Sequence, residues 1–369
     1  MSRYQFDVAT EADDADLRRV LAETPMPGRI AVSFRREPSY FAAAEIDGRF
    51  RQVVAARELN SGRIIGFGSR SVCQRYVNGL PTPIGYLSSL RLLAEHRNRG
   101  LVARGYAYFR RLHADRRAPL YLTTIAEGNA LALRLLTSGR AGLPRYHPAG
   151  QFLTAAIPWR QTSAKAPPAE SASLDVRIRP ATLDDVPAAL DFLHAVGPRR
   201  QFFPCYDAED LFTPCGPLRG LGPDDVLLAI RGGAIVGTLG AWDQSDFRQT
   251  VVHGYGPPLS WVRPIYNAWA RRSGRPRLPG AGDRFRCRFV ALPLVADDDP
   301  VVFAALLDAV LTRVCDADYI IVGLHEADPL LPVLRRHRAT WYRTHLFHVC
   351  WDDGEPVRQS LDGRPPYLE

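Results

Sequence analysis

The chain has 369 residues, 46% of them hydrophobic and 23% charged, with a formal net charge of +8. This is the composition of a folded protein long enough for two or more domains, and without a run of about 18 apolar residues it excludes a membrane-spanning helix. The positive charge is almost all arginine, Lys165 being the only lysine, and it is not clustered, which argues against a nucleic-acid partner.

The opening, Met1 to Asp7, lacks the apolar core of a signal peptide. Cys73, Cys205, Cys215, Cys287, Cys315 and Cys350 are far apart and form no CxxC pair, so reduced thiols in a cytoplasmic protein are expected. A short strand at Phe6 runs into Thr10-Glu11-Ala12-Asp13-Asp14, which caps a helix near residues 15–23. Strands near residues 51–57 and 64–72 flank Asn60-Ser61-Gly62, a hairpin turn.

The apolar segment 85–93 reads as a further strand. It leads into His96-Arg97-Asn98-Arg99-Gly100-Leu101-Val102-Ala103, and helical spacing follows at Leu101, Gly105, Tyr108, Phe109 and Leu112. A helix N-terminus has unpaired N–H groups and partial positive charge, so a basic glycine turn before it can hold phosphates. The plainer reading is a solvated cap. Another strand, residues 120–125, precedes Asn129-Ala130-Leu131-Ala132-Leu133-Arg134-Leu135-Leu136, a short helix opened by an N-cap asparagine.

Residues 161–175, rich in Ala, Pro and Ser, read as a linker between a first domain (1–160) and a second (176–353), with a tail at 354–369. The second half opens as the first does: a strand, then Thr182-Leu183-Asp184-Asp185. Strands at 226–230 and 234–242 again flank a glycine turn, which makes a tandem duplication. After the strand near 285–292 stands Val295-Ala296-Asp297-Asp298-Asp299-Pro300, where carboxylates would repel a pyrophosphate. The second half also carries an insertion, 247–283, with Trp261, Tyr266 and Trp269, expected as a loop with a short helix. It could pack locally, lie on a membrane surface, form a dimer contact or close an acceptor site.

The order strand, Arg97-x-x-Gly100-x-Val102, helix, strand, Asn129-helix resembles the GNAT superfamily of acyl-CoA-dependent N-acyltransferases over residues 4–157. Val102 departs from the small residue usual at its position. The resemblance implies a mixed α/β (α+β) architecture: two GNAT-like domains, each a mostly antiparallel twisted sheet flanked by helices, the second degenerate. It implies acetyl-CoA or another acyl-CoA as co-substrate and no metal. Backbone at Leu90 and Leu92 would pair with the pantetheine arm. Arg97, Asn98, Arg99, Gly100, Leu101, Val102 and Ala103 would surround the pyrophosphate, and Asn129 would touch the cofactor arm. On this reading residues 1–160 alone would bind CoA.

The chemical residues are less plain. Many relatives place a Glu eleven residues before the loop, where this chain has Tyr86. By the period of two, Tyr86 and Ser88 share a strand face with Leu90 and Leu92, and either could position a water that takes the amine proton. The usual acid, a Tyr in the Asn-helix, is replaced by Leu136; Tyr146 or His147 could stand in. No GxSxG, HExxH or GxxxxGK[ST] motif occurs, and the histidines do not cluster as metal ligands. The expected function is acetyl transfer to an amine of a small molecule or peptide, in a monomer or homodimer. The competing expectation is a non-catalytic CoA-binding or regulatory module on the same fold.

Overall fold

The structure is a computed structural model and describes residues 3–140, 142–159 and 175–368. The expected linker, Asp175 apart, lies outside the described residues. In chain order the first half comprises β1 (Tyr4–Val8), α1 (Asp14–Glu23), β2 (Ile30–Arg35), α2 (Tyr40–Ala43), β3 (Phe50–Glu58), β4 (Ile64–Val77) and β5 (Leu80–Leu92). It continues with α3 (Leu101–His113), β6 (Tyr121–Ala126), α4 (Ala130–Leu136) and β7 (Arg145–Pro158). The second half comprises β8 (Arg177–Pro180), α5 (Val186–Val196), β9 (Val226–Arg231), β10 (Ala234–Asp243), β11 (Gln249–Tyr255) and α6 (Leu259–Arg272). It ends with β12 (Cys287–Val295), α7 (Pro300–Arg313), β13 (Tyr319–His325), α8 (Leu331–Leu334), β14 (Thr340–Cys350) and α9 (Glu355–Gln359).

The architecture is mixed α/β, a mostly antiparallel twisted sheet flanked by helices. The same local devices recur in both halves. Thr10 and Thr182 each open a capping box, their N–H groups donating to Asp13 and Asp185 at 2.9 and 2.8 Å. β5 and β12 each carry a bulge at a non-glycine residue with positive φ, Ser89 (56°) and Leu292 (52°). Before its bulge each of these strands pairs briefly, in parallel, with the next sheet strand of its own half, β5 with β6 and β12 with β13. Repeated caps and repeated bulges at matching places are what a duplicated unit leaves behind.

The halves do not keep separate sheets. Twelve strands form one sheet, ordered β1-β3-β4-β5-β6-β14-β7-β13-β12-β10-β9-β8. The last strand of each half has crossed over: β14 lies between β6 and β7, and β7 pairs with β13. The hydrophobic cores are mixed accordingly. Phe347 and Val349 of β14 are buried with Tyr106 and Phe109 of α3, while Ala155 and Ile157 of β7 are buried with α7. β2 and β11 form a separate antiparallel ribbon that also joins the halves.

One buried group on the exchanged strand makes the seam sensitive to acid. His348 of β14 has a buried Nε2 without a partner. Burial lowers its pKa from 6.5 to about 4, helped by the nearby positive charges of Arg358, His147 and His325. The unfolded chain therefore takes up this proton near pH 6.5 and the folded chain resists it until about pH 4. Stability is whole above pH 6.5 and falls towards pH 4, by about 2 kcal/mol at pH 5. Urea titrations across this range should lose that slope in His348→Phe; an identical slope in the variant would contradict the assignment.

Candidate active site

β5 passes the chain through one tight turn, Ala94 to His96. Buried His96 anchors it through Nδ1 to the Tyr4 hydroxyl at 3.0 Å. Arg97, Asn98, Arg99 and Gly100 are all exposed. Asn98 (φ 59°) and Gly100 (φ 69°) adopt left-handed backbone, and α3 starts with no side-chain cap. Its first N–H groups are therefore open to a ligand. Leu101 is buried, Val102 packs against the core that holds Tyr106 and Phe109, and Ala103 is exposed. The unusual Val102 thus directs its bulk into the protein. Arg97 and Arg99 lean only on carbonyls, those of Leu92 (3.4 Å) and Glu95 (3.3 Å). Among the described residues neither forms an ion pair.

The matching helix of the second half is closed. Asp299 caps α7, its carboxylate accepting from the N–H groups of Val301 (2.9 Å) and Val302 (3.3 Å). Asp297 pairs with Arg199, and Asp298 with Arg200. The acidic run fills with its own side chains the place that α3 leaves open.

β5 and β6 pair only at Gly85–Tyr121 and Tyr86–Leu122, then separate. Gly85 is required at the apex, because a Cβ there would lie 2.2 Å from the Tyr121 ring. The Tyr86 hydroxyl bridges the opening to Thr124 Oγ1 at 2.9 Å. Burial raises its pKa, keeping the phenol protonated.

The bulge at Ser89 changes the strand faces expected from alternation. Leu87 and Leu90, three residues apart, both pack in the core beneath α3. Ser88 stands opposite Ser69, whose hydroxyl meets that of Tyr40 at 2.8 Å. Leu90 therefore faces away from Tyr86 and Ser88, and Arg91 takes the place on their face. Leu92 packs against the core that holds Leu93 and Leu101.

Asn129 caps α4, its side chain accepting from the Ala132 N–H at 3.2 Å. The Tyr146 hydroxyl is hydrogen-bonded to that of Tyr106, and burial pushes both phenols up, Tyr106 to about 12. His147 is bonded to Glu355 at 2.8 Å. With Cys350 these two form a trio of potential metal ligands. Glu355 is already paired with Arg145 and Arg358, and burial pushes the Cys350 thiol to about 12, so the trio is committed to local packing.

On the Tyr86 side of the sheet a cavity of about 510 Å³ opens between the halves. Tyr86, Asp47, Arg75 and Gln74 from the first half meet Gln244 and Arg248 from the second. Sequence reasoning missed Asp47, which ends a short 3-10 turn, and Arg248, which lies in a loop; neither belongs to a motif. The cavity lining does not include Trp261, Tyr266 or Trp269, for which closing an acceptor site was one of the roles left open by the sequence. Trp261 is 75% exposed and Trp269 46%, and Tyr266 donates to Pro276 O. The insertion instead reaches the first half through β11, and its contribution to the cavity is Arg248.

No protein-family model and no curated protein sequence matches the chain. Solved structures do. A glucosamine N-acetyltransferase region of a fungal multi-domain beta-N-acetylglucosaminidase aligns over 94% of this chain, with a TM-score of 0.61 and 13% identity. The alignment spans only 38% of that longer protein. N-myristoyltransferase of Saccharomyces cerevisiae, solved with myristoyl-CoA, aligns over 95% of this chain and 79% of its own, with a TM-score of 0.57 and 10% identity. A GCN5-related N-acetyltransferase from Sphaerobacter thermophilus aligns over 94% and 96%, with a TM-score of 0.53 and 14% identity. The chain has the GNAT-type fold that these transferases share.

Proposed function

We propose that the chain is an acyl-CoA-dependent N-acyltransferase with one cofactor site, in its first half. The contrast between two helix N-termini carries this reading. That of α3 is uncapped, exposed and flanked by Arg97 and Arg99, which form no ion pair among the described residues, whereas that of α7 is filled by Asp299. A CoA pyrophosphate suits the first, where N–H groups and the helix dipole meet negative charge. The arm would then run along β5 into the β5–β6 opening, with backbone at Leu90 and Leu92 as its partner and Asn129 at the far wall. Acetyl is the simplest acyl group for such a site. The free state of all six cysteines supports a reducing, cytoplasmic setting.

In the reaction the amine nitrogen attacks the thioester carbonyl, the C–S bond breaks, and CoA leaves as a thiol while the amine loses a proton. Tyr86, at the apex of the opening and at the cavity wall, is our candidate for holding the amine or its proton-accepting water. Asp47 in the same cavity supplies a carboxylate where the resembled family's glutamate is missing. Ser88 lies on the same face. Tyr146 is engaged with Tyr106, and we assign it no step.

Thiol release from acetyl-CoA against an amine panel tests the reading. In Tyr86→Phe, kcat should fall about 100-fold, the usual scale for a group assisting proton transfer. CoA affinity should be unchanged, since the ring remains. An unaltered kcat would remove Tyr86 from the chemistry. Full CoA binding with no turnover of any amine would favour a non-catalytic module.

A further inference from the structure

Helix α6 turns one face inward and leaves the other bare. Inward are Arg263, Tyr266, Asn267 and Ala270, of which Ala270 is fully buried. The segment after the helix clamps this face. The Asn267 side chain donates to Leu278 O at 2.9 Å and accepts from the Leu278 N–H at 2.8 Å, and Arg263 donates to the same carbonyl at 3.2 Å. Tyr255 of β11 donates to Pro279 O at 2.8 Å, which ties the clamp to the ribbon. These bonds fix which face looks outward.

The outward face is apolar. Trp261 is 75% exposed and Ile265 72%, and Val262 and Trp269 are exposed beside them. With about 3.6 residues per turn, these four side chains fall within about 100° of arc. Folded surfaces scatter large apolar side chains singly, so a contiguous stripe of them marks a contact surface. The charge around the stripe selects the partner. No Asp or Glu occurs between Asp246 and Asp283. Arg271, Arg272, Arg275 and Arg277 follow the stripe at the end of α6, and among the described residues none of them forms an ion pair. The Arg275 guanidinium lies over the Trp269 ring, 4.7 Å from its centre, and the other three arginines are exposed.

A second copy of the chain fits this face poorly. A two-fold contact would set the stripe against itself and bring the same arginines together with no carboxylate among them. An acidic lipid surface suits both features. Tryptophan and isoleucine enter the boundary between headgroups and acyl chains, while arginines reach the anionic headgroups. With 14 residues α6 is too short to cross a bilayer, which takes about 20, so it would lie in the surface. We propose that the chain docks on anionic lipid membranes through α6, with Trp261, Val262, Ile265 and Trp269 inserted and Arg271, Arg272 and Arg277 on the headgroups. The inference does not rest on acyl transfer. α6 contributes nothing to the lining of the cavity beside Tyr86, so changes on its outer face spare that site.

Flotation of the full chain with lipid vesicles tests the docking. With vesicles of equimolar phosphatidylcholine and phosphatidylserine, the wild type should float and its tryptophan emission should shift to the blue. Affinity for phosphatidylcholine alone should be lower by about tenfold or more, since each arginine at an anionic surface is worth about fivefold. The double variant Trp261→Ser, Ile265→Ser should bind the mixed vesicles about tenfold or more weakly, having lost two buried apolar side chains. Arg271→Gln, Arg272→Gln should lose about as much through charge alone. All four positions are exposed, so an unchanged thermal transition is expected and shows that each variant is folded. No binding to the mixed vesicles, or equal binding to both kinds, would overturn the proposal. So would wild-type affinity in Trp261→Ser, Ile265→Ser. A dimer in solution that this variant makes monomeric, without vesicle binding, would assign the face to a second copy instead.

Discussion

Replacing Gly100 with glutamate is expected to weaken CoA binding at least 100-fold. Two effects act together. Gly100 has φ 69°, a backbone state that costs a non-glycine residue about 1–2 kcal/mol. The new carboxylate would also stand at the uncapped start of α3, where a pyrophosphate is to bind. Two charges 4 Å apart interact by about 4 kcal/mol at the effective dielectric near a protein surface. No atom lies within 4 Å of a Cβ built at Gly100, so the variant should fold and the loss should be one of binding. Gly100→Ala separates the terms, because it carries the strain without the charge and should lose about tenfold. Calorimetry on both variants reads the difference. Wild-type affinity in Gly100→Glu would move the cofactor elsewhere.

Dividing the chain after residue 159 is expected to destroy the fold of the first half. Sequence reasoning took residues 1–160 as a unit able to bind CoA alone, and the strand exchange predicts otherwise. Without β14, β6 keeps only its two-residue parallel pairing with β5, and β7 loses both neighbours. Leu346, Phe347 and Val349 of β14 are all buried, each worth about 1.5–3 kcal/mol. Together that is about 4.5–9 kcal/mol, of the order of a whole domain's stability. The isolated segment should be insoluble or lack a cooperative thermal transition, and co-expression with residues 175–369 should restore both. A monomeric, cooperatively folding 1–159 fragment would show that β7 can replace β14 beside β6.

What the sequence disclosed was what local backbone chemistry decides. The capping boxes at Thr10 and Thr182, the turn before α3 and the Asn129 cap each act within four residues, so each was legible. Partner choice is not local. β7 and β14 carry the same alternation whichever half they pair with, so the exchange left no trace in the pattern. The Ser89 bulge was equally hidden, because a serine with positive φ has no composition signal, and it moved Leu90 off and Arg91 onto the Tyr86 face. The sequence left the role of the aromatic insertion open, and the element of it that reaches the first half is β11.

The central claim is one open phosphate-binding helix terminus in a chain that has two copies of the unit. Titrating CoA into the intact protein at physiological salt tests it most directly. The account predicts saturable binding at one CoA per chain, unaffected when Asp299 of the closed α7 terminus is replaced by asparagine. Two CoA molecules per chain, or none, would contradict it.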